Sequence, residues 1–325
     1  WVGSPPNLLF IPDKNGDDIP DGDPKVVLDG WGRQDRHETL NSFVWGPDGW
    51  LYGCHGVFTQ SRVGKPGDEK ESRQFIDGGI WRYHPTRQVF EVVARGTTNP
   101  WGMDWDEHGQ MFFINTVIGH LWHVVPGARY ERMYGEHFNP YLYELIPQTA
   151  DHFHWDTAEP WDDIRIRGGS TDSTRQAGGG HAHSGFLIYQ GDNWPERYRN
   201  TFFTGNIHGN RINNDTLERR GSGYIARHGP DFLLGNHDWF RCLWQKYGPD
   251  GSVFIGDWHD YGECHDNDGS HRTSGRIYKI VFGIPDKRAI DLQQLGNVDL
   301  ADQHVHPNEW VVRHARRILH ERAAA

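Results

Sequence analysis

The residues best equipped for chemistry in this chain are histidines, asparagines, arginines and acids gathered beside four recurring aromatic segments. His37 and His55 flank the first segment, Asn99 and Asn115 the second, His181, His183 and His208 the third, and Arg241, Asp257 and His259 the fourth. Histidine ionises near neutrality, which suits it to proton transfer and to metal ligation. His181 and His183 occupy alternate positions after Gly178, Gly179 and Gly180, so they lack neighbours in sequence to pack against, and with His208 they form a candidate set for a divalent cation serving hydrolase or lyase chemistry. His152 and His154 are a second alternate pair, in an aromatic stretch, where ligation and plain packing are both open. For each of these residues the competing reading is structural, because buried His and Asn commonly satisfy backbone groups.

The segments between these residues are what must position them. Phe43 and Trp45 alternate with small or polar residues, Gly46-Pro47-Asp48-Gly49 makes a tight turn, and Trp50-Leu51-Tyr52 runs back, which predicts a β-hairpin. The unit recurs at 101–113 and at 243–255, the latter with Gly248-Pro249-Asp250-Gly251, and with a longer turn from Gly185 through Asp192-Asn193-Trp194-Pro195 to Phe203. Radial repetition of this kind predicts an all-β chain, a β-propeller. A hairpin's two open ends lie together, opposite its turn, so the chemically rich ends should share one polar face while the turns carry only Gly, Pro and Asp.

Further strands are expected at 7–11 and 25–28, 79–83, 89–93, 120–125 and 275–282. Between the first two lies Asp13-Lys14-Asn15-Gly16-Asp17-Asp18-Ile19-Pro20-Asp21, whose Asp13, Asn15, Asp17 and Asp21 match the opening of a calcium loop. The terminal bidentate Glu is missing and Asp18 stands where the turn glycine belongs, so a solvated acidic turn is the alternative. Residues 136–180 break the rhythm and read as a functional loop, and 263–269 read as an acidic loop able to bind a cation. Asn308 caps an expected helix that turns Val311, Val312, Ala315, Ile318 and Leu319 to one face and Arg313, Arg316 and Arg317 outward. These boundaries give a propeller over 1–286, N-terminally incomplete because the first strands read as the outer pair of a blade, and over 287–325 a linker and the start of a helical module.

Composition narrows the partners. A net charge of -11 with no long basic run argues against nucleic acid and anionic membrane surfaces. No apolar run approaches the roughly 20 residues that span a bilayer. Three cysteines, Cys54, Cys242 and Cys264, form no CxxC; a Cys54–Cys264 pair stays open.

Leu40-Asn41-Ser42-Phe43, Trp45-Gly46-Pro47-Asp48-Gly49-Trp50-Leu51-Tyr52, Gly180-His181-Ala182-His183-Ser184-Gly185, His208-Gly209-Asn210-Arg211-Ile212-Asn213 and Arg227-His228-Gly229-Pro230-Asp231-Phe232 resemble the bacterial PVC-type haem-binding, membrane-bound dehydrogenase family. Its propeller is similar to that of the glucose/sorbosone dehydrogenases, six-bladed quinoproteins that use pyrroloquinoline quinone (PQQ) and calcium. The resemblance covers about residues 1–285 and implies a six-bladed propeller of periplasmic or cell-envelope location, followed by helical repeats and a c-type haem domain. No CxxCH occurs in this chain, so covalent haem is expected only downstream. Carried over position by position, the resemblance implies His37 as general base, Arg241 beside it, Asn99 kept at the cofactor and a basic cofactor contact at His208 or Arg211; the hairpin ends add His183 to the catalytic candidates and His181, Asp257 and His259 to the cofactor candidates. Thr98 stands where the quinoproteins carry an arginine before Asn99. The function this implies is oxidation of a sugar or polyol, with electrons passing to a quinone or to a downstream c-type cytochrome. A non-catalytic carbohydrate- or protein-binding propeller, and the metal-dependent hydrolase or lyase, are the alternatives.

Overall fold

Three of the four aromatic segments reverse through a turn closed by glycine, and the backbone shows why glycine is required. Gly49, Gly109 and Gly251 each donate their N–H to the carbonyl three residues earlier, at 3.1, 3.0 and 2.9 Å. Each does so with φ near +80°, a conformation in which a Cβ meets the following carbonyl. In the second turn Asp106 adds its own carboxylate, which accepts the N–H groups of His108 and Gln110 at 2.9 and 2.7 Å.

The computed structural model describes residues 1–35, 39–133, 139–159, 171–262, 271–284 and 290–324. The described residues are mostly β, in several small antiparallel sheets, and end in short helices. The chain divides into two compact units. The first, Trp1–Trp45, Trp50–Pro100 and Val125–Pro147, holds three sheets. They are β1 (Val2–Ser4), β2 (Asn7–Phe10) and β3 (Lys25–Asp29); then β4 (Asn41–Trp45) and β5 (Leu51–His55) joined to β8 (Gly79–His84) and β9 (Val89–Arg95); and the pair β6 (Ser61–Val63) and β7 (Gln74–Ile76). Its core is aromatic: Trp31 and Trp81 meet at 5.7 Å between centroids, among Leu8, Leu28, Ile76 and Phe90.

The second unit, Gly46–Gly49, Trp101–Val124 and Gln148–Ala325, carries the sheets that matter for function. β10 (Asn99–Trp105), whose first two residues belong to the first unit, pairs with β11 (Met111–Thr116), and β11 with β12 (Leu121–His123). After α1 (Asp172–Ala177) come β13 (His183–Ile188), β14 (Thr201–Asn206), β15 (Arg211–Arg220) and β16 (Gly223–His228) in one sheet, with β17 (Leu233–Leu234) also on β15. β18 (Cys242–Tyr247), β19 (Val253–Asp257) and β20 (Arg276–Ile280) form the last sheet, before α2 (Asn297–Asp302) and α3 (Glu309–Ala324). The expected hairpins are thus β4–β5, β10–β11, β13–β14 and β18–β19.

β13 is buried along its whole length because it is covered on both faces. Phe186 and Ile188 join Phe112, Ile114, Leu121 and Phe202 on one side, while Leu187 and Tyr189 join Phe203, Val253 and Ile255 on the other. That double covering explains a run of consecutive apolar residues where a one-sided strand would alternate.

Asn308 caps α3 as expected: its side-chain oxygen accepts the Trp310 N–H at 3.0 Å. Its amide also donates to the Gly248 and Pro249 carbonyls at 3.0 and 3.1 Å, fastening the helix to the turn between β18 and β19. Arg313 does not face outward. Its guanidinium lies 2.6 Å from the carboxylate of buried Asp104 and 3.2 Å from Gln190, because this flank of the helix, too, rests on the sheets. The other Asp104 oxygen accepts the Ile188 N–H at 3.0 Å, so one carboxylate ties β10, β13 and α3 together. Asp104→Ala should lower stability by about 3 kcal/mol, the lower end for breaking a buried pair, since Arg313 keeps 24 % of its side-chain surface. Denaturant unfolding checks this; a loss under about 1 kcal/mol, the usual worth of an exposed pair, would contradict it.

Candidate metal centre

Within the second unit, four segments converge on the carboxylate of Asp215. β15 carries Asp215 opposite Phe202 of β14 and His228 of β16. The turn between β11 and β12 supplies His120, the segment paired with β16 through Ala150 and Ala226 supplies His152 and His154, and the first residue of β13 is His183. The floor beneath is the apolar cluster of Phe112, Ile114, Leu121, Phe186, Ile188 and Phe202. His120, His154, His183 and Asp215 are fully buried.

The geometry is specific. Asp215 Oδ2 lies 2.9 Å from His120 Nε2, 3.3 Å from His152 Nε2 and 3.2 Å from His154 Nε2. His152 Nε2 and His154 Nε2 face each other at 3.3 Å. All four atoms lie within 4.8 Å of one another, the sole such His, Cys, Asp and Glu group among the described residues. Three ring nitrogens crowded onto one oxygen make poor hydrogen-bond donors, since their protons would point at one another. The four separations of 2.9–3.3 Å are close to the edge of a tetrahedron around an ion bonded at 2.0–2.1 Å, about 3.3 Å.

Outer contacts orient the same groups. Asp215 Oδ1 is held by His228 Nδ1 at 3.0 Å, His152 Nδ1 donates to Asp151 Oδ1 at 3.0 Å, and His154 Nδ1 lies 2.9 Å from His183 Nε2. Asp151 is braced in turn by Arg227 at 2.8 Å. Burial would raise the Asp215 carboxyl, but the surrounding imidazoles, His154 foremost, hold it well below the usual carboxylate range. Burial pushes His120 down and takes His154 to about 3, so both are neutral imidazoles with a lone pair to give. Burial also lowers His152, but Asp215 and Asp151 outweigh it and raise its pKa.

The backbone around the cluster is strained and close-packed. Val117, a β-branched residue, sits at φ 91° in the turn that presents His120, at a cost on the order of 1–3 kcal/mol. That turn is clamped by Val117 N–H to the His181 carbonyl at 3.0 Å and by Thr116 Oγ1 to the His183 carbonyl at 2.8 Å. Gly178 takes φ 144° where a Cβ would stand 2.8 Å from His154, so the glycine run lies flat against the cluster.

The expected site residues distribute unevenly. His183 joins the cluster, but His181, His183 and His208 do not surround one point: His181 turns to His208, with ring centroids 4.5 Å apart, and His183 turns to His154. His181 and His183 are buried, not short of packing partners, because the chain folds back over them. Arg211 binds Asp231 at 2.8 Å and the carbonyls of Gly209 and Arg175. Arg241 donates to the carbonyls of Asp238, Phe240 and Tyr261, while its N–H binds Asp257 at 2.7 Å. Asp257 in turn accepts the His259 N–H at 2.8 Å and its ring at 2.9 Å. A cavity of about 490 Å³ against β18–β20 includes Asp257 in its lining and no residue of the cluster. Asn99 opens β10 and is half-buried. The oxygens of Asp13, Asn15, Asp17 and Asp21 accept N–H groups of Gly16, Asp17, Ile19 and Lys14 within their own exposed turn. His37, Cys264 and the 263–269 loop lie outside the described residues.

His120, Asp215 and His228 are absent from the sequence-based candidates. The signal for Asp215 is the run Asn213-Asn214-Asp215 inside a strand whose neighbours are Phe202 and Phe203, a place where polar residues are costly without partners.

The sheets and their hairpins form a β-propeller-type fold similar to that of solved sugar dehydrogenases. An aldose sugar dehydrogenase from Streptomyces coelicolor, solved in its PQQ-bound form, is similar with a TM-score of 0.51 and 17% identity, over 84% of this chain and 70% of that one. An oxidoreductase of Thermus thermophilus described as a glucose dehydrogenase gives 0.47 and 18% over 79% and 70%. The soluble aldose sugar dehydrogenase of Escherichia coli, in its apo form, gives 0.42 and 12% over 84% and 90%. No curated protein matches the chain. Residues 1–282 match the family described as a domain of unknown function, DUF7133, and the chain belongs to that family.

Two buried imidazoles outside the ligand set give a pH signature. Burial takes His55 to about 4 and His181 to about 3, from an ordinary 6.5. The unfolded chain then binds more protons than the folded one between 6.5 and those values, so stability is full above 6.5 and is lost as pH falls through the window. The urea midpoint of chelator-treated protein should drop from about pH 7 to about pH 4.5; a flat profile would contradict the burial.

Proposed function

We propose that this chain is a metal-dependent member of the sugar-dehydrogenase propeller class, with a divalent transition ion held by His120, His152, His154 and Asp215. The observation that carries the proposal is the convergence of three Nε2 atoms on one carboxylate oxygen at 2.9–3.3 Å, with all four ligand atoms within 4.8 Å of one another. Three imidazoles and one carboxylate suit zinc, cobalt or iron; calcium prefers six to eight oxygens. Three of the four ligands are fully buried, while His152 keeps 17% and its neighbour His228 34% of their side-chain surface, so that edge is where an oxygen of a small polar substrate would reach the ion. There the ion would act as a Lewis acid by taking the substrate oxygen as a fifth ligand. A sugar or polyol is the substrate class the fold likeness favours; its oxidation to the carbonyl releases two electrons and two protons, so an acceptor outside this chain, such as a c-type cytochrome in the cell envelope, would take the electrons in two one-electron transfers while the protons pass to solvent.

PQQ itself does not fit the residues expected to hold it. A tricarboxylate needs several charged partners, and Arg211 and Arg241 already spend their guanidinium groups on Asp231 and on backbone carbonyls.

Protein loaded with Zn²⁺ or Co²⁺ and desalted should retain about one equivalent, retain no Ca²⁺ at this site, and lose affinity by at least ~100-fold on Asp215→Ala, more than loss of an outer partner costs. Dye-linked sugar or polyol oxidation by the full-length protein should vanish with chelator and ignore added PQQ. Activity that rises with PQQ and Ca²⁺ and survives Asp215→Ala would move the chemistry away from this centre.

A further inference from the structure

We propose that His183 is the positioning residue of the metal centre: it accepts the His154 Nδ1–H and so locks His154 in the tautomer whose Nε2 faces the ion. The inference rests on the metal reading above and adds a proton assignment to it.

The assignment follows from the donors present. A histidine that ligates through Nε2 must carry its proton on Nδ1, and that proton needs an acceptor when the ring is buried. For His152 the acceptor is Asp151, at 3.0 Å. For His154, which is fully buried, the Nδ1 neighbour is His183 Nε2, at 2.9 Å. His183 can accept there only if its own proton sits on Nδ1, an atom that has no protein partner in its buried pocket. The arrangement therefore leaves an N–H unpaired at His183 in order to leave a lone pair at His154. Without the ion the balance reverses, since His154 Nε2 would then serve best as a donor to Asp215, 3.2 Å away. His183 is fixed independently of the ligands. Its carbonyl accepts from Thr116, its strand is covered on both faces, and it pairs with Asn206 across the sheet. An acceptor on a buried strand is what the ligand-bearing segment 148–156 lacks by itself, as His154 is joined to β15 only through Asp215.

The direct test is nitrogen-15 NMR of zinc-loaded protein labelled at histidine, which distinguishes Nδ1–H from Nε2–H rings. His183 should be Nδ1–H, and His154 Nδ1–H should be protected from exchange. An Nε2–H tautomer at His183 overturns the proposal while leaving the metal site intact. In parallel, His183→Met, which keeps bulk but removes the nitrogen, should weaken Zn²⁺ binding by about 10- to 100-fold and shift the visible bands of the Co²⁺ form. His183→Gln, whose amide oxygen can accept, should return affinity to within about threefold of wild type, a rescue that a packing role would not produce. Equal affinity and unchanged Co²⁺ bands in His183→Met also overturn it. If the wild-type protein takes up no ion, the metal reading fails first and this inference falls with it.

Discussion

A carboxylate buried without solvent must be surrounded by groups that favour its charge, and Asp215 imposes that constraint on the second unit. Its two oxygens are met by four imidazoles from β15's partner strand, from the turn before β12 and from the segment that follows it. Placing them there requires the rest: a strained Val117 to aim His120, glycines small enough to let the chain lie against His154, and a floor of Phe and Ile side chains that keeps water out. An isolated charge in such surroundings would cost several kcal/mol, so the polar cluster and the apolar floor are two halves of one arrangement.

The centre adjoins the hairpin end at His183, where function was expected, but its carboxylate lies elsewhere. Asp215 lies on the third strand of its sheet and His228 on the fourth, so the cluster grows between neighbouring sheets rather than at the first strands alone. The apolar residues beneath it come from both β11–β12 and β13–β14. An ion there would add a link between sheets already joined by packing and by hydrogen bonds such as Ile188 N–H to Asp104 and Thr116 Oγ1 to the His183 carbonyl, and would also anchor the segment that precedes α1.

Much of the architecture is legible in the sequence because it rests on local rules. Gly-Pro-Asp-Gly specifies its turn, alternating aromatics specify strands, and Asn308 before an apolar stripe specifies α3. The centre is less legible, since its members lie up to 95 residues apart, as His120 and Asp215 do, and nothing local marks them as neighbours. The Gly-rich approach singles out His183, though not for want of packing partners, since the residue is buried, and the alternation of His152 and His154 leaves ligation and packing both open. Arg211, Arg241 and Asp257 illustrate the opposite case: charged residues at strand ends that the fold uses for its own carbonyls and amides. Arg313 departs from the outward position its periodicity predicts for a related reason, since helix periodicity marks one apolar face and is silent about a second face that packs through an ion pair.

The Asp104–Arg313 pair also bears on where the chain can be cut. Asp104 belongs to β10, near the beginning of the second unit, and Arg313 to its last helix, 209 residues later. A gene fragment stopped at the end of the sheets would strand the carboxylate inside the protein and uncover the Gly248 and Pro249 carbonyls that Asn308 now occupies. A fragment meant to keep these groups covered therefore extends through α3, although no strand lies beyond β20 among the described residues.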